Sequence, residues 1–343
     1  WMNIIFDTDL TPFLQGKRFT SCFVTTLNAT FTPRENGRWL LALQYDPDRG
    51  ERPESFDSNR CRELIRAGAG RSDVKADLVD ARPWQIAASI ADRFREGRAF
   101  LVGDAAHMMP PTGAFGGNTG IHDAHNLAWK LALVLGGTAD PMLLDSYDDE
   151  RRPVVRHTLD QALARLRAWF KDRSQRLPAA VDIVDGYDVV FGQRYRTGAL
   201  IADPNETSER RFEPARELSG RPGTRAPYVI LQHNGRRGAI QDLFGRDFVL
   251  LTGAGGDGWN AAAARLRDAA GVPLTCTAIG RDRDGVDVES VWPQRYGVTD
   301  DGAVLVRPDG FVAWRAPDAV PDPGAALAEV LSRLGIRVHA STT

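Results

Sequence analysis

Cysteine is scarce in this chain. Cys22, Cys61 and Cys276 are far apart and odd in number, which excludes a disulfide framework and a thiolate zinc site and suits a reducing cytoplasm. No metal site of any other kind is expected. No apolar run approaches the length that crosses a bilayer. The opening WMNIIFDTDL has no basic segment leading into an apolar core, so it does not read as a signal peptide. A positive excess is missing too. Lys and Arg (43) nearly balance Asp and Glu (45), for a net charge of −2, and the basic residues are mostly arginines scattered among acids. That excludes a broad nucleic-acid surface. What is present is an ordinary globular composition, 43% hydrophobic and 26% charged, over 343 residues. Two domains are the natural expectation at this length.

The informative stretch is Gly97–Gly137, GRAFLVGDAAHMMPPTGAFGGNTGIHDAHNLAWKLALVLGG. Ala99–Val102 is an apolar run that stops at Gly103-Asp104, which predicts a buried strand. A Gly- and Pro-rich loop follows from Met108 to Asn118. After Thr119 the residues Ile121, Ala124, Ala128, Leu131 and Leu135 recur at helical spacing, and Gly136-Gly137 supplies the stop. A strand therefore delivers an aspartate to its carboxyl end, and a loop delivers backbone amides at a helix start, where negative charge is favoured. A carboxylate only accepts hydrogen bonds, so Asp104 suits a hydroxyl-bearing ligand such as a ribose or ribityl chain. Gly113, Gly116 and Gly117 leave room for a flat ring to approach the backbone, and Pro110-Pro111 holds the loop extended.

These residues resemble, position by position, the second flavin-contact motif of the flavin-dependent aromatic hydroxylases of the para-hydroxybenzoate hydroxylase type. The aromatic polyketide hydroxylases are the most similar branch. The resemblance implies FAD as cofactor, with Asp104 on its ribityl hydroxyls and Pro111 beside the reactive edge of the isoalloxazine. Gly113 and Gly116 are part of the same cradle, and Gly117 and Asn118 would bind the pyrimidine end. It further implies NADPH as transient reductant and oxygen, forming a flavin C4a-hydroperoxide that hydroxylates a phenolic or polycyclic aromatic ring. No catalytic acid or base is assigned; His107, His122 and His125 are read first as packing residues. The family carries an earlier strand, G-x-G-x-x-G loop and helix for the adenine and pyrophosphate, and a later Asp-Gly motif. Neither lies before Gly97. With the abrupt start at Trp1, this leads us to expect the later part of a longer hydroxylase, holding FAD weakly. The rivals are a non-catalytic binding module and an antibiotic-inactivating hydroxylase of the same chemistry.

The fold expected is mixed α/β, a para-hydroxybenzoate hydroxylase-like flavin and substrate domain followed by a thioredoxin-like domain. Residues 1–193 would hold the substrate sheet and the second part of the FAD domain. Met2–Phe6, Phe19–Phe31 and Trp39–Tyr45 read as its strands, with Phe23, Gln44 and Trp84 facing a small aromatic substrate. Met142–Arg152 and Val154–Phe170 read as helix, broken or kinked at Pro153, with an apolar stripe through Val155, Leu159, Ala162, Leu163, Leu166, Trp169 and Phe170. The phrase from Asp145 to Pro153 resembles the family but is read as a solvated face without chemistry. Residues 194–227 would be a linker wrapped on a surface, and 228–343 a thioredoxin-like domain without Cys-x-x-Cys. That domain would serve for support or for subunit contact in a homodimer. Gly253-Ala254-Gly255-Gly256-Asp257-Gly258 satisfies G-x-G-x-x-G after a strand, yet only one βαβ unit follows, too little for a dinucleotide fold. A surface glycine loop is the preferred reading.

Overall fold

Alternation in the first strand sets one face of a sheet. In the computed structural model, which describes residues 1–11, 14, 16–170, 181–204 and 206–338, β1 (Met2–Asp7) buries Met2, Ile4 and Phe6 on one side. It lies at the centre of a five-stranded sheet with β2 (Cys22–Val24), β3 (Ala29–Pro33), β4 (Arg38–Leu43) and β5 (Asp77–Pro83), in the order β2-β3-β4-β1-β5. All described pairings are antiparallel. The segment read as one strand over Phe19–Phe31 is a hairpin, because Asn28 takes a left-handed φ of 49° between β2 and β3. Helix α1 (Ser58–Ala69), capped by the Asp57 carboxylate on the Arg60 amide, covers the apolar face with Cys61, Leu64 and Ile65. Sheet and helix share one core with Phe31, Trp39 and Leu41. Together they make up the compact unit Trp1–Ala87.

The second unit runs from Ala88 to Thr343. Four strands of two residues each open it: β6 (Ser89–Ile90), β7 (Arg95–Glu96), β8 (Ala99–Phe100) and β9 (His107–Met108). The expected buried strand Ala99–Val102 is thus reduced to β8, paired with β7 alone, and Leu101 beyond it is exposed. Apolar content demanded burial, but no described strand flanks the run on its other side. Helix α2 (Phe115–Leu135) begins earlier than the spacing predicted, so Gly116, Gly117 and Asn118 lie in its first turn rather than in a loop. Its period is the expected one; its orientation is not. Ile121, Ala124, Ala128 and Leu135 face outward, Leu135 at 83% exposure. The buried side instead carries Thr119, Asp123, Asn126, Leu127, Lys130 and Leu133.

Helix α3 (Ser146–Phe170) continues unbroken past Pro153. The carbonyl that Pro153 leaves without an amide, that of Asp149, accepts instead from the Thr197 hydroxyl at 3.4 Å. Val155, Leu159, Ala162 and Leu166 are buried as expected, while the side chains of Trp169 and Phe170 lie outside the described residues. After α4 (Gly186–Phe191) the described residues from Arg194 to Pro227 form no helix or strand but are pinned by single bridges, Arg194 to Thr224 and Arg225 to Phe311. A Cβ on Gly223 would come within 1.9 Å of the Tyr195 carbonyl, so this wrap is close.

The rest is built around β12 (Phe248–Thr252), whose five residues are all buried. A small sheet precedes it, β10 (Ile230–His233) and β11 (Arg236–Ala239), joined by β14 (Gly285–Asp287). The main sheet orders β13 (Leu274–Ala278), β12, β15 (Ala303–Val306) and β16 (Val312–Ala316). The first pair is parallel across α5 (Asp257–Ala270); the others are antiparallel. Helices α5 and α7 (Pro323–Arg333) cover one face with Trp259, Ala262, Leu327 and Leu331, and Trp129 and Leu133 of α2 join the same core. The short α6 (Trp292–Tyr296) closes the other face. Burial on both faces explains why β12 reads as a continuous apolar run.

Candidate functional site

The turn carrying Asp104 is a 3-10 segment, Gly103–Ala105, pressed against α2. Gly103 has φ 60°, and a Cβ on Gly120 would lie 3.2 Å from the Gly103 Cα, so two glycines permit the approach. One carboxylate then fastens the turn. Asp123 Oδ2 accepts from the Gly103 amide (3.2 Å) and from His107 Nε2 (2.6 Å). Its other oxygen accepts from Arg151 Nε at 2.8 Å, and all three side chains are fully buried. Burial alone would raise the Asp123 pKa, but the His107 hydrogen bond and the Arg151 charge outweigh it and hold the carboxyl below its ordinary value. His107 is thereby a buried bonding partner behind the turn. Arg151 is itself held by Gln193 Oε1 (3.0 Å), the Tyr195 hydroxyl (3.2 Å) and the Thr119 carbonyl (3.3 Å). His122, half-buried on α2, donates from Nδ1 to the same Gln193 oxygen. Burial, with Arg151 and Arg225 nearby, pushes its pKa down to about 4.

The Asp104 carboxylate, by contrast, is exposed and makes no bond among the described residues. Pro111, Gly113, Gly117 and Asn118 are exposed as well, and Gly116 is half-buried. The loop between them is anchored from below. Thr112 Oγ1 donates to the Ala162 carbonyl at 2.6 Å, and Phe115 is buried under the Arg165 guanidinium, 4.9 Å from its ring. Gly113 has φ 86°, and a Cβ there would strike the Phe115 ring at 2.4 Å. The first turn of α2 has no side-chain cap, so its leading amides keep their hydrogen-bonding capacity and the dipole's positive end. Asn118 Nδ2 donates back to the Ala114 carbonyl (3.0 Å), leaving its amide oxygen as an acceptor. A cavity of about 450 Å³ lies beside Pro111 and Gly113, lined also by Arg165 and Ile183. An open acceptor beside uncapped donors and a glycine surface is a donor set that fits the polyol and the electron-rich pyrimidine of a flavin.

Phe23, Gln44 and Trp84 belong to the first unit. Phe23 pairs with Thr30 in the register row that runs through Ala42 to Asn3, on the sheet side opposite α1. Gln44 continues the alternation of β4 on that side and accepts from Asn28 Nδ2 at 3.3 Å. Trp84 donates from its indole to Asn3 Oδ1 (2.8 Å) and lies 5.7 Å from the Trp1 ring. All three therefore gather on or beside one sheet face. A cavity of about 850 Å³ on this unit is lined by Asn3, Ile5, Arg34, Arg38 and Leu40 and by none of the three, Trp84 touching it only through its bond to Asn3.

The glycine motif at Gly253–Gly258 is closed. The Gly255 amide donates to the Asp300 carbonyl (2.9 Å), and a Cβ on Gly253 or Gly255 would strike Asp300 or Asp301. Those glycines make room for protein, and the Asp301 carboxylate against Gly255 opposes a phosphate there.

Buried charge behind α2 was not legible in the sequence. The Asp145–Pro153 phrase is no solvated face: Glu150 and Arg151 are 1% and 0% exposed. Glu150 receives both terminal nitrogens of Arg307 (2.8 and 2.9 Å), Lys130 Nζ (3.0 Å), Asn126 Nδ2 (2.6 Å) and the Ala199 amide (2.7 Å). Arg307 also donates to Asp309 in its own turn, at 2.9 and 2.5 Å. Two carboxylates and two cations thus cancel. Burial would raise the Glu150 pKa, but Arg307 and Lys130 bring it down to about 2. Burial lowers Lys130 to about 8 despite Glu150.

Two successive domain matches place the chain in the family of flavin-dependent aromatic-ring hydroxylases. Residues 1–162 match the FAD binding domain and residues 219–335 the C-terminal domain of aromatic-ring hydroxylases. Among its relatives, the chain is 44% identical over 282 residues to a 4-methyl-5-nitrocatechol 5-monooxygenase of Burkholderia sp, covering 80% of this chain and 50% of that protein. It is 40% identical to an aklavinone 12-hydroxylase of Streptomyces purpurascens, covering 97% of this chain and 62% of the relative. A solved ternary complex of aklavinone-11 hydroxylase with FAD and aklavinone superposes with a TM-score of 0.88 at 39% identity, over 97% of this chain and 62% of that one. The chain therefore spans half to about three fifths of the length of these relatives. Among the described residues no helix is long and apolar enough to cross a membrane, and no group of His, Cys, Asp and Glu could hold a metal ion.

Proposed function

We propose that this chain supplies the ribityl- and pyrimidine-binding half of an FAD site, and the substrate sheet, of a monooxygenase that hydroxylates a phenolic or polycyclic aromatic ring. The observation that carries it is the exposed, unpartnered Asp104 carboxylate set beside the uncapped start of α2. Asp104 accepts from the ribityl hydroxyls. The amides of Gly116 and Gly117 donate to the pyrimidine edge and favour the negative charge that a reduced flavin carries there. Pro111 has no N–H and leaves its side of the loop apolar. The open face of the first sheet, with Phe23, Gln44 and Trp84, is the surface assigned to the aromatic substrate. FAD, reduced by NADPH, supplies the oxygen activation; the protein orients the reactants and excludes water.

Titration of the chain with FAD, followed by flavin fluorescence, tests the reading and separates it from a module without cofactor. Saturable quenching that weakens when Asp104 is replaced supports it, as does NADPH oxidation stimulated by a phenolic polyketide. Absence of any flavin binding refutes it.

A further inference from the structure

The C-terminal domain reaches the flavin turn through buried charge. Arg307 and Asp309 sit in the turn between β15 and β16 and are 0% and 1% exposed. Arg307 presents its fork to Glu150 of α3, and Asn126 and Lys130 of α2 meet the same carboxylate. Asn126 also reaches Asp309 at 3.4 Å. One turn of the thioredoxin-type domain thus fixes how α2 and α3 lie against each other. The next residue of α3, Arg151, crosses the same helix pair to Asp123, which grips Gly103 and His107 on either side of Asp104. Tyr195 touches both halves, bonding Arg151 at 3.2 Å and lying 5.2 Å under the Arg307 guanidinium. Arg225 also faces this network, its guanidinium 5.7 Å from the Phe191 ring and 5.6 Å from the Phe311 ring, near Tyr195, Asp309 and His122.

From this geometry we infer that Arg307, with Asp309, is a positioning residue for flavin binding: the C-terminal domain sets the place of the Asp104 turn relative to the start of α2. The inference rests on the flavin site proposed above. A domain without a Cys-x-x-Cys pair gains a defined task, acting at a distance through buried, hydrogen-bonded ion pairs.

The test measures FAD affinity of the chain by fluorescence quenching, in the cold and below the onset of unfolding. The set is wild type, Arg307→Gln, Asp309→Asn, Asp104→Ala, the Asp104→Ala/Arg307→Gln double variant and Leu331→Ala. Leu331 is a fully buried core residue of α7 outside the network, so its truncation loosens the same domain without touching the charges. Arg307→Gln is expected to weaken FAD about tenfold and Asp309→Asn a few-fold, with Leu331→Ala within twofold of wild type. In the Asp104→Ala background the Arg307 effect shrinks to less than half on a logarithmic scale, since the group it positions is gone. Equal losses in Leu331→Ala and Arg307→Gln, or full additivity with Asp104→Ala, overturn the inference while leaving the flavin site standing. If Arg307→Gln does not fold, the milder Asp309→Asn carries the same comparison. Wild type that binds no FAD refutes the underlying site instead.

Discussion

Removing one buried cation should cost more than any exposed pair in this chain. In Lys130→Met the side chain keeps its length and loses its charge, so packing changes little. Its Nζ stands 3.0 Å from Glu150 and 2.8 Å from the Asn126 oxygen, with no solvent exposure on either side of the ion pair. At that separation and an effective dielectric near ~20, the lost attraction is about 5 kcal/mol. Against it stands the desolvation that Lys130 no longer suffers, already visible in its pKa of about 8. The substitution leaves two carboxylates facing one guanidinium, and leaving a buried charge uncompensated typically costs about 3–5 kcal/mol. For a unit of this size that corresponds to a fall in melting temperature on the order of 10 °C, at roughly 2–4 °C per kcal/mol. Thermal unfolding followed by circular dichroism reads it. Glu150→Gln in the same chain restores the balance of charges, so the double variant should recover about 1–3 kcal/mol relative to additivity. A Lys130→Met variant that melts with wild type, or strictly additive effects with Glu150→Gln, would show that these charges are not coupled.

Asp104→Ala should leave stability within about 0.5 kcal/mol, as befits an exposed side chain without partners, while weakening FAD; unaltered affinity would remove Asp104 from the site. Gly113→Ala places a methyl into the Phe115 ring at φ 86°, and a cost of about 1–3 kcal/mol is expected from the backbone strain alone, read as a lower unfolding midpoint. Acid should destabilise the fold in two steps. The unfolded chain binds a proton at His122 near pH 6.5 but the folded one only near about 4, so that contribution is present above 6.5 and fades as the pH falls to 4. Glu150 repeats this lower down, between an unfolded value of 4.5 and a folded value of about 2. Midpoints measured against pH should flatten over the upper window in His122→Gln and over the lower one in Glu150→Gln, and slopes identical to wild type would contradict the assignment.

The candidate loop was legible in the sequence. Glycine and proline at fixed places between an apolar run and a helical period identify the loop, and an aspartate ahead of it can only accept. In the structure Asp104, Pro111, Gly113, Gly117 and Asn118 are exposed and Gly116 is half-buried. Strand alternation puts Phe23 and Gln44 on the side of the sheet away from α1, but the pairing of Asn3 with Ala42 and Arg82 that brings Trp84 there is long-range. Pro308-Asp309-Gly310, between β15 and β16, has the residues of a tight turn, but nothing local shows that its aspartate is buried and ionic.

Local chemistry determined the elements themselves: where α2 stops, where β15 turns back into β16, and which glycines must stay small. Tertiary structure decided which side of α2 faces in. By period alone the apolar stripe from Ile121 to Leu135 belongs inside, yet Asp123, Asn126 and Lys130 are the ones buried. A charge can leave water only where an opposite charge and full hydrogen bonding receive it. For Glu150 that receiver is Arg307, 157 residues further along. No window of sequence contains both members of such a pair, so the inside of this helix is fixed only when the whole chain has met.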